Sequence, residues 1–186
     1  MKYAFSTAPR VALVPALAFL AAILAWALPA PAAAGDIQVV SSVELNASPS
    51  DVWALIGAFD NLQGWHPAVE GTRMEGSPTQ VGSKRVLMLK GGGEIEEELT
   101  SYSASGTRYT YKILKSPLPV ANYESFLAVT DEGGGKSLVI WGSRFDAAGG
   151  ASKAKAKGTI AGVYKAGLDT LAKKFGTPGH MMKEKM

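Results

Sequence analysis

A series of short segments with alternating apolar residues, separated by glycine-rich turns, limits most strongly what this chain can fold into. In the first of them, apolar side chains recur at every second position from Ile37 to Leu45, the period of a half-buried strand. The same kind of pattern predicts strands at residues 69–75, 83–90, 94–103, 107–114, 121–130 and 137–146. Glycine triplets at 91–93 and 133–135 predict tight hairpin turns. Because successive hairpins form antiparallel sheets, we expect one antiparallel sheet of seven strands.

One long amphipathic helix is predicted after the last strand. Its apolar stripe consists of Ile160, Val163, Tyr164, Gly167, Leu171 and Phe175. Gly176 and Pro178 are typical of a helix end. Since a single helix must cover one face of the sheet, the predicted fold class is α+β. A curved sheet of this kind can leave a ligand cavity beneath the helix.

The stretch between the first two strands is predicted to form two short helices. Ser48 has the residue type and position of a cap for the first helix. Asp60 or Asn61 can cap the second, which is expected to run into Trp65 and His66. From this pattern alone, Trp65 and His66 can either guard a ligand site or fill the core.

Residues 1–34 have the features of a secretory signal peptide: a basic start, an apolar run and a small-residue segment ending in three alanines. We therefore expect export to the periplasm, a single folded domain at 35–176 and a disordered tail at 177–186. The apolar run is long for a signal, so an uncleaved membrane anchor is the alternative. After cleavage no stable membrane insertion is expected. The absence of cysteine is compatible with an oxidising compartment.

Positive charge is concentrated toward the end of the chain. The whole chain has a formal net charge of only +3, which does not indicate a nucleic-acid partner. After residue 151 there are eight lysines against Asp169 and Glu184. The simpler interpretation is a solvated helix face, and the alternative is a docking surface for an acidic partner. The docking candidates are Lys153, Lys155, Lys157, Lys165 and Lys173.

Few residues in the expected domain are suited to catalysis or metal binding. His66 is its single histidine and there is no cysteine, so neither a metal site nor a cofactor is predicted. Glu97 is the acidic residue on the apolar face of its strand, where a basic residue or a tyrosine hydroxyl can pair with it. No nucleophile–base pair is evident, and no catalytic residue is assigned. The candidates for lining a ligand pocket are Trp65, His66, Glu97, Tyr109, Tyr111, Tyr123, Trp141 and Arg144.

Several sequence blocks together resemble the SRPBCC superfamily, which includes START domains, Bet v 1-like allergens and polyketide cyclases and dehydrases. The blocks are NASPSDVWALIGAFDNLQGWHPAVE, VGSKRVLMLKGGGEIEEEL, YTYKI, PLPVANYES and SLVIWGSRF. The resemblance implies the helix-grip fold, in which a curved antiparallel seven-stranded sheet wraps around a long C-terminal helix, with two short helices between strands 1 and 2. In that fold the two short helices close one end of the sheet, which places Trp65 and His66 at the mouth of the cavity.

Within this superfamily, the signal peptide and the WHP and IEEEL motifs resemble the MxaD branch, which is associated with periplasmic methanol oxidation. That resemblance implies a non-catalytic accessory protein whose partners are methanol dehydrogenase or its cytochrome c. One alternative is a periplasmic carrier of a hydrophobic or aromatic small molecule. The other is an enzyme similar to the polyketide cyclases and dehydrases.

Overall fold

Seven strands and a long C-terminal helix follow one another in the order that the sequence predicts. The computed structural model describes residues 35–178, so the predicted signal peptide and residues 179–186 of the predicted tail lie outside the described residues. In chain order the elements are β1 (Ile37–Leu45), α1 (Pro49–Ile56), a 3₁₀ turn (Leu62–Gly64), β2 (Val69–Glu75), β3 (Lys84–Leu89), β4 (Glu94–Ser103), β5 (Arg108–Lys115), β6 (Val120–Gly133), β7 (Lys136–Ala147) and α2 (Lys153–Phe175).

All seven strands form one antiparallel sheet in the order β1-β7-β6-β5-β4-β3-β2. From β2 to β7 each strand pairs with the next, as consecutive hairpins require. β1 instead pairs with β7 along its whole length, from Ile37 opposite Phe145 to Leu45 opposite Ser137. β1 and β2 therefore lie at opposite edges, and the segment containing α1 crosses from one edge to the other. The predicted helix-grip fold is confirmed.

The long helix α2 covers the inner face of the curved sheet and contacts chiefly β1 and β7. Ser152 caps the helix by accepting a hydrogen bond from the Lys155 N–H, and Gly176 follows its last turn with a φ of 74°. The buried residues of α2 are Ala156, Ile160, Tyr164, Gly167, Leu168 and Leu171. Val163 and Phe175, predicted in the same stripe, are only half-buried. Within residues 35–178 there is no helix with the length and apolar character needed to cross a membrane.

The short helix α1 forms as predicted, whereas the second predicted helix is a single 3₁₀ turn. The Ser48 hydroxyl accepts a hydrogen bond from the Asp51 N–H, and Val52 and Ile56 are fully buried. Asn61 precedes the 3₁₀ turn but makes no side-chain cap hydrogen bond, and its side-chain amide donates to the Leu55 carbonyl. A proline at position 67 disfavours helical backbone at the preceding residue, which explains why the turn does not continue.

Candidate functional site

A cavity of about 220 Å³ lies between α2 and the strands β3 to β7. Its wall is mainly apolar and includes Leu62, Val69, Leu87, Leu89, Ile95, Ile113, Leu118, Ile160 and Val163. The exposed residues among those that line it are Ala68, Lys90, Gly91 and Gly92, so the mouth lies beside the turn between β3 and β4. An enclosed apolar space with a few polar groups is the usual form of a small-molecule site.

Five of the predicted pocket residues line this cavity, namely His66, Glu97, Tyr111, Tyr123 and Trp141. They come from the 3₁₀ region and from four different strands, and only the curvature of the sheet brings them together. Tyr164 of α2 also lines the cavity and had been assigned only to the apolar stripe of the helix. Trp65, Tyr109 and Arg144 are not among the lining residues.

Arg144, predicted as a pocket residue, lies on the outer face of the sheet, away from the cavity under α2. Successive side chains of a strand point to opposite faces, and Ser143 and Phe145 on either side of Arg144 are buried. Arg144 is exposed, opposite Gln38 of β1 and Glu124 of β6. It cannot reach the cavity through the sheet.

Trp65 supports the cavity wall from behind instead of lying at the mouth. Its ring is buried against Trp141, with 5.3 Å between ring centroids. Gly167 of α2 makes this packing possible, because a Cβ at that position would lie within 2.9 Å of Trp65, Trp141 and His66. Tyr109 is likewise buried outside the cavity, and its ring centroid lies 5.8 Å from that of Phe59.

The one acidic residue of the wall, Glu97, forms a buried ion pair with Arg85. Arg85 Nε lies 2.6 Å from Glu97 Oε2, and the two side chains are 1% and 5% exposed. Arg85 also donates to the Phe59 carbonyl and places its guanidinium 3.9 Å from the centre of the Phe59 ring. These contacts satisfy a charge pair that would otherwise be costly to bury.

Arg85 is the main residue that the sequence analysis missed. β3 carries apolar residues on both faces, with Leu87 and Leu89 inward and Val86 and Met88 outward, so alternation alone does not show which way Arg85 points. The glycine turn carries a usable signal. A hairpin folded about Gly91 pairs positions equidistant from it, and Arg85 then falls opposite Glu97, as it does in the sheet.

Burial and mutual contact shift the pKa values of both members of this ion pair. Burial raises the pKa of the Glu97 carboxyl, and the Arg85 guanidinium acts against that rise. For Arg85, burial lowers the pKa, but Glu97 and the neighbouring tyrosines outweigh it and leave a net increase. Arg85 is therefore a permanent cation, and its charge compensates that of Glu97.

The phenols of the wall are hydrogen-bonded to one another and to nearby polar groups. Tyr123 and Tyr164 hydroxyl oxygens are 2.5 Å apart, and Ser125 Oγ lies 3.2 Å from the Tyr164 hydroxyl. Trp141 Nε1 donates to the Tyr111 hydroxyl at 3.0 Å. Burial raises the pKa of Tyr164 to about 12 and raises the pKa values of Tyr111 and Tyr123 well above the usual range. All three phenols are therefore neutral at physiological pH.

His66 is held neutral between two backbone groups. Its Nδ1 accepts a hydrogen bond from the Ala68 N–H at 3.2 Å, so the proton is on Nε2, which donates to the Val163 carbonyl at 2.9 Å. Burial lowers the pKa of the imidazole, and the charge of Arg85 adds to the effect. With both nitrogens engaged, His66 joins the loop before β2 to the middle of α2. Among residues 35–178 there is no group of three or more acidic or histidine side chains that could hold a metal ion.

The predicted docking lysines lie along the outer side of α2. Lys153, Lys155, Lys157, Lys165 and Lys173 are all exposed. Lys153 Nζ is 3.5 Å from Asp36, and Lys165 Nζ is 2.5 Å from Asp169. The first turn of α2 contains no acidic residue. Lys153, Lys155 and Lys157 lie instead near the positive end of the helix dipole, where cations are unfavourable.

Solved structures of the same fold include three informative relatives. XoxI from Bacillus cereus is 31% identical, with a TM-score of 0.69 over 74% of this chain and 94% of that one. A protein from Thermobifida fusca is also 31% identical, with a TM-score of 0.67 over 75% of this chain and 93% of that one. Norcoclaurine synthase from Thalictrum flavum, solved with dopamine and hydroxybenzaldehyde, is 17% identical, with a TM-score of 0.58 over 74% of this chain and 85% of that one, and shows the fold alone.

A search of curated proteins gave no match. A family model described as polyketide cyclase / dehydrase and lipid transport matches residues 36–176, which include every strand, both helices and the whole cavity wall. The chain therefore belongs to the polyketide cyclase / dehydrase and lipid transport family.

Proposed function

We propose that this protein is an exported, non-catalytic protein that binds a small, largely apolar molecule in the cavity under α2. The observation that carries the proposal is the chemistry of the wall, which is mainly apolar and whose buried titratable groups already have protein partners. A binding site of this kind can select a ligand by shape and apolar contact, with a few hydroxyl groups to orient it.

The same pairing argues against proton transfer. A general acid or base must be able to give or take a proton at the substrate. Glu97 is bound to Arg85, and both nitrogens of His66 are bound to the backbone. The phenols have pKa values too high to act as bases near neutral pH.

Native mass spectrometry of protein taken directly from the periplasm tests the binding function. We expect a repeatable co-purifying small molecule in the wild type. Val163→Phe places a larger side chain on the cavity wall and should lose that molecule. Ala154→Phe, at an exposed position of the same helix, is the matched control and should retain it. An empty cavity in both the wild type and the control would contradict the proposal.

Export is part of the proposal and rests on the signal-like features of residues 1–34. We expect the mature protein to be recovered from the periplasm with its first residue close to Gly35. N-terminal sequencing after fractionation measures both properties. A protein that begins at Met1 and fractionates with membranes would show that the segment is an anchor.

A second candidate function is an accessory role in periplasmic methanol oxidation, by contact with methanol dehydrogenase or its cytochrome c. The resemblance to the MxaD branch, the similarity to XoxI and the exposed lysines of α2 support it. Lysines of this kind raise the rate of encounter with an acidic surface more than they raise affinity.

Electron flow from the dehydrogenase to the cytochrome, with and without the purified protein, tests the accessory role. We expect an increase at low salt that declines at moderate salt. Replacing Lys155, Lys157 and Lys173 together by glutamate should abolish the increase, whereas Val163→Phe should preserve it. Electron flow that the protein leaves unchanged at both salt concentrations would end this candidate.

A further inference from the structure

Lys90 differs from every other polar group that lines the cavity. Only two of the lining residues are charged, Lys90 and Glu97, and the charge of Glu97 is compensated by Arg85. Among residues 35–178, none of the ion pairs includes Lys90. The cavity therefore has one positive charge without a protein counter-charge in the described part of the chain.

The position of Lys90 is set by the end of the β3–β4 hairpin. Its backbone N–H donates to the Ala68 carbonyl at 2.9 Å, which joins the start of the turn to the segment before β2. The next two residues, Gly91 and Gly92, have φ values of 94° and 98° and no side chains, so nothing on them crowds the lysine amine. Lys90 is both exposed and part of the cavity lining, so the residue lies at the mouth.

The opposite end of the cavity is unsuited to an anion. Glu97 lies deeper along β4, three residues and about 10 Å beyond the first residue of the strand, Glu94, at the rise of an extended strand. The space between is lined by aliphatic side chains such as Leu87, Leu89 and Ile95. A carboxylate carried into that space would lose its hydration and approach Glu97, whereas at Lys90 it would keep water and gain a counter-charge.

We infer that the ligand is a small amphiphilic carboxylate, bound with its apolar body inside the cavity and its carboxylate at Lys90 Nζ. This inference rests on the proposed binding function and specifies the class of ligand. A cavity of about 220 Å³ is larger than the apolar cavity of roughly 150 Å³ that holds one benzene molecule. The body is therefore a single ring with a short side chain, or an acyl chain of similar volume.

Matched acids and amides test the inference, because an amide keeps the shape of the acid and lacks its charge. The pairs are phenylacetate with phenylacetamide, 3-phenylpropionate with 3-phenylpropanamide, and octanoate with octanamide. NMR titration, read at the indole N–H of Trp141, gives each affinity. For the pair that binds best, we expect the acid to bind about fivefold or more tightly than its amide at low salt, and the ratio to fall as salt is added.

Two lysine variants show whether Lys90 is the cause. Lys90→Ala should bring the acid-to-amide ratio close to one, chiefly by weakening the binding of the acid. Lys84→Ala is the control, since Lys84 begins the strand that ends just before Lys90 but is not on the cavity wall, and it should keep the wild-type ratio. Equal binding of acid and amide by the wild type, or a ratio that survives Lys90→Ala, would overturn the inference and leave the binding function intact. Failure of all six compounds to perturb Trp141 would count against the binding function itself.

Discussion

At the scale of single residues, a substitution of Trp65 distinguishes two roles for this side chain: a gate over the cavity and a support beneath α2. Its side chain is buried between Trp141 and the glycine of α2 that allows the two tryptophans to meet the helix. We expect Trp65→Ala to lower the free energy of unfolding by about 3–5 kcal/mol, because a large buried ring would leave a void. Urea unfolding measures the change. Unchanged stability together with lost ligand binding would instead make Trp65 a gate.

A second residue-scale prediction concerns Arg85 and Glu97. Arg85→Met leaves a buried carboxylate without its counter-ion, and we expect a loss of about 3–5 kcal/mol in the free energy of unfolding. Glu97→Met leaves the buried guanidinium unpaired and should cost a similar amount. The double variant buries no charge and should lose clearly less than the two single losses added together. Its remaining cost includes the Phe59 carbonyl, which no longer has Arg85 as a donor.

Urea unfolding of the wild type, both single variants and the double variant completes a thermodynamic cycle for this pair. The coupling free energy from that cycle should be large, because the two groups are in direct contact in a dry environment. Strictly additive losses would mean that each group is stabilised by something other than its partner.

At the scale of elements, the glycines of α2 are not equivalent. A Cβ at Gly167 would lie 2.8 Å from His66 and 2.9 Å from Trp65 and Trp141, whereas a Cβ at Gly158 or Gly162 would meet nothing within 4 Å. We expect Gly167→Ala to destabilise the protein by about 1–3 kcal/mol through overpacking. Gly162→Ala should stabilise it by up to about 1 kcal/mol through higher helix propensity.

Thermal unfolding of these two variants provides the comparison, and each is the control for the other. They carry the same substitution on the same helix and differ only in what lies beneath. If both variants were stabilised, α2 would have to be free to move away from the sheet at Gly167.

Element boundaries follow the sequence closely where one face is buried. The strand predicted at 94–103 is β4 as observed, since Ile95, Glu97 and Leu99 alternate with more exposed neighbours. β6 runs beyond its predicted end because its pairing with β7 continues up to the glycine turn. The 3₁₀ turn after α1 was predicted as a helix, since the few residues between an apolar run and Pro67 do not distinguish the two.

At the scale of the whole molecule, His66 makes stability depend on pH. Burial lowers the pKa of His66 in the folded protein below its usual value near 6.5. As pH falls through the usual value near 6.5, His66 of the unfolded chain binds a proton that His66 of the folded protein does not, and stability is lost. The loss should approach about 1.4 kcal/mol per pH unit once His66 is charged only in the unfolded state.

Denaturant unfolding between pH 7.5 and pH 5.5 measures this dependence. His66→Gln keeps a side-chain donor that can reach the Val163 carbonyl but removes the titrating group, so its profile should be flatter over the same range. His180 is present in both proteins and cancels in the comparison. Identical slopes for the wild type and the variant would assign the pH dependence to other groups.

The sequence by itself determined the number and order of the strands, the long helix and the inward position of Glu97, because burial on one face of a strand repeats every two residues. It also indicated Tyr111, Tyr123 and Trp141 as candidates for the pocket wall. It could not determine how deep an inward residue lies, or which inward residues meet across the sheet. Those depend on contacts between residues far apart in the chain.

Only the tertiary structure decided three features of the site. Arg85 is the partner of Glu97 because the β3–β4 register places them opposite each other; the glycine turn fits that register, but three consecutive glycines also fit a register shifted by one residue. Trp65 lies behind the wall because α2 approaches closely at Gly167. Lys90 is a cavity residue because a backbone hydrogen bond holds the end of that hairpin against the segment before β2. In each case the local pattern allows several arrangements, and long-range packing selects one.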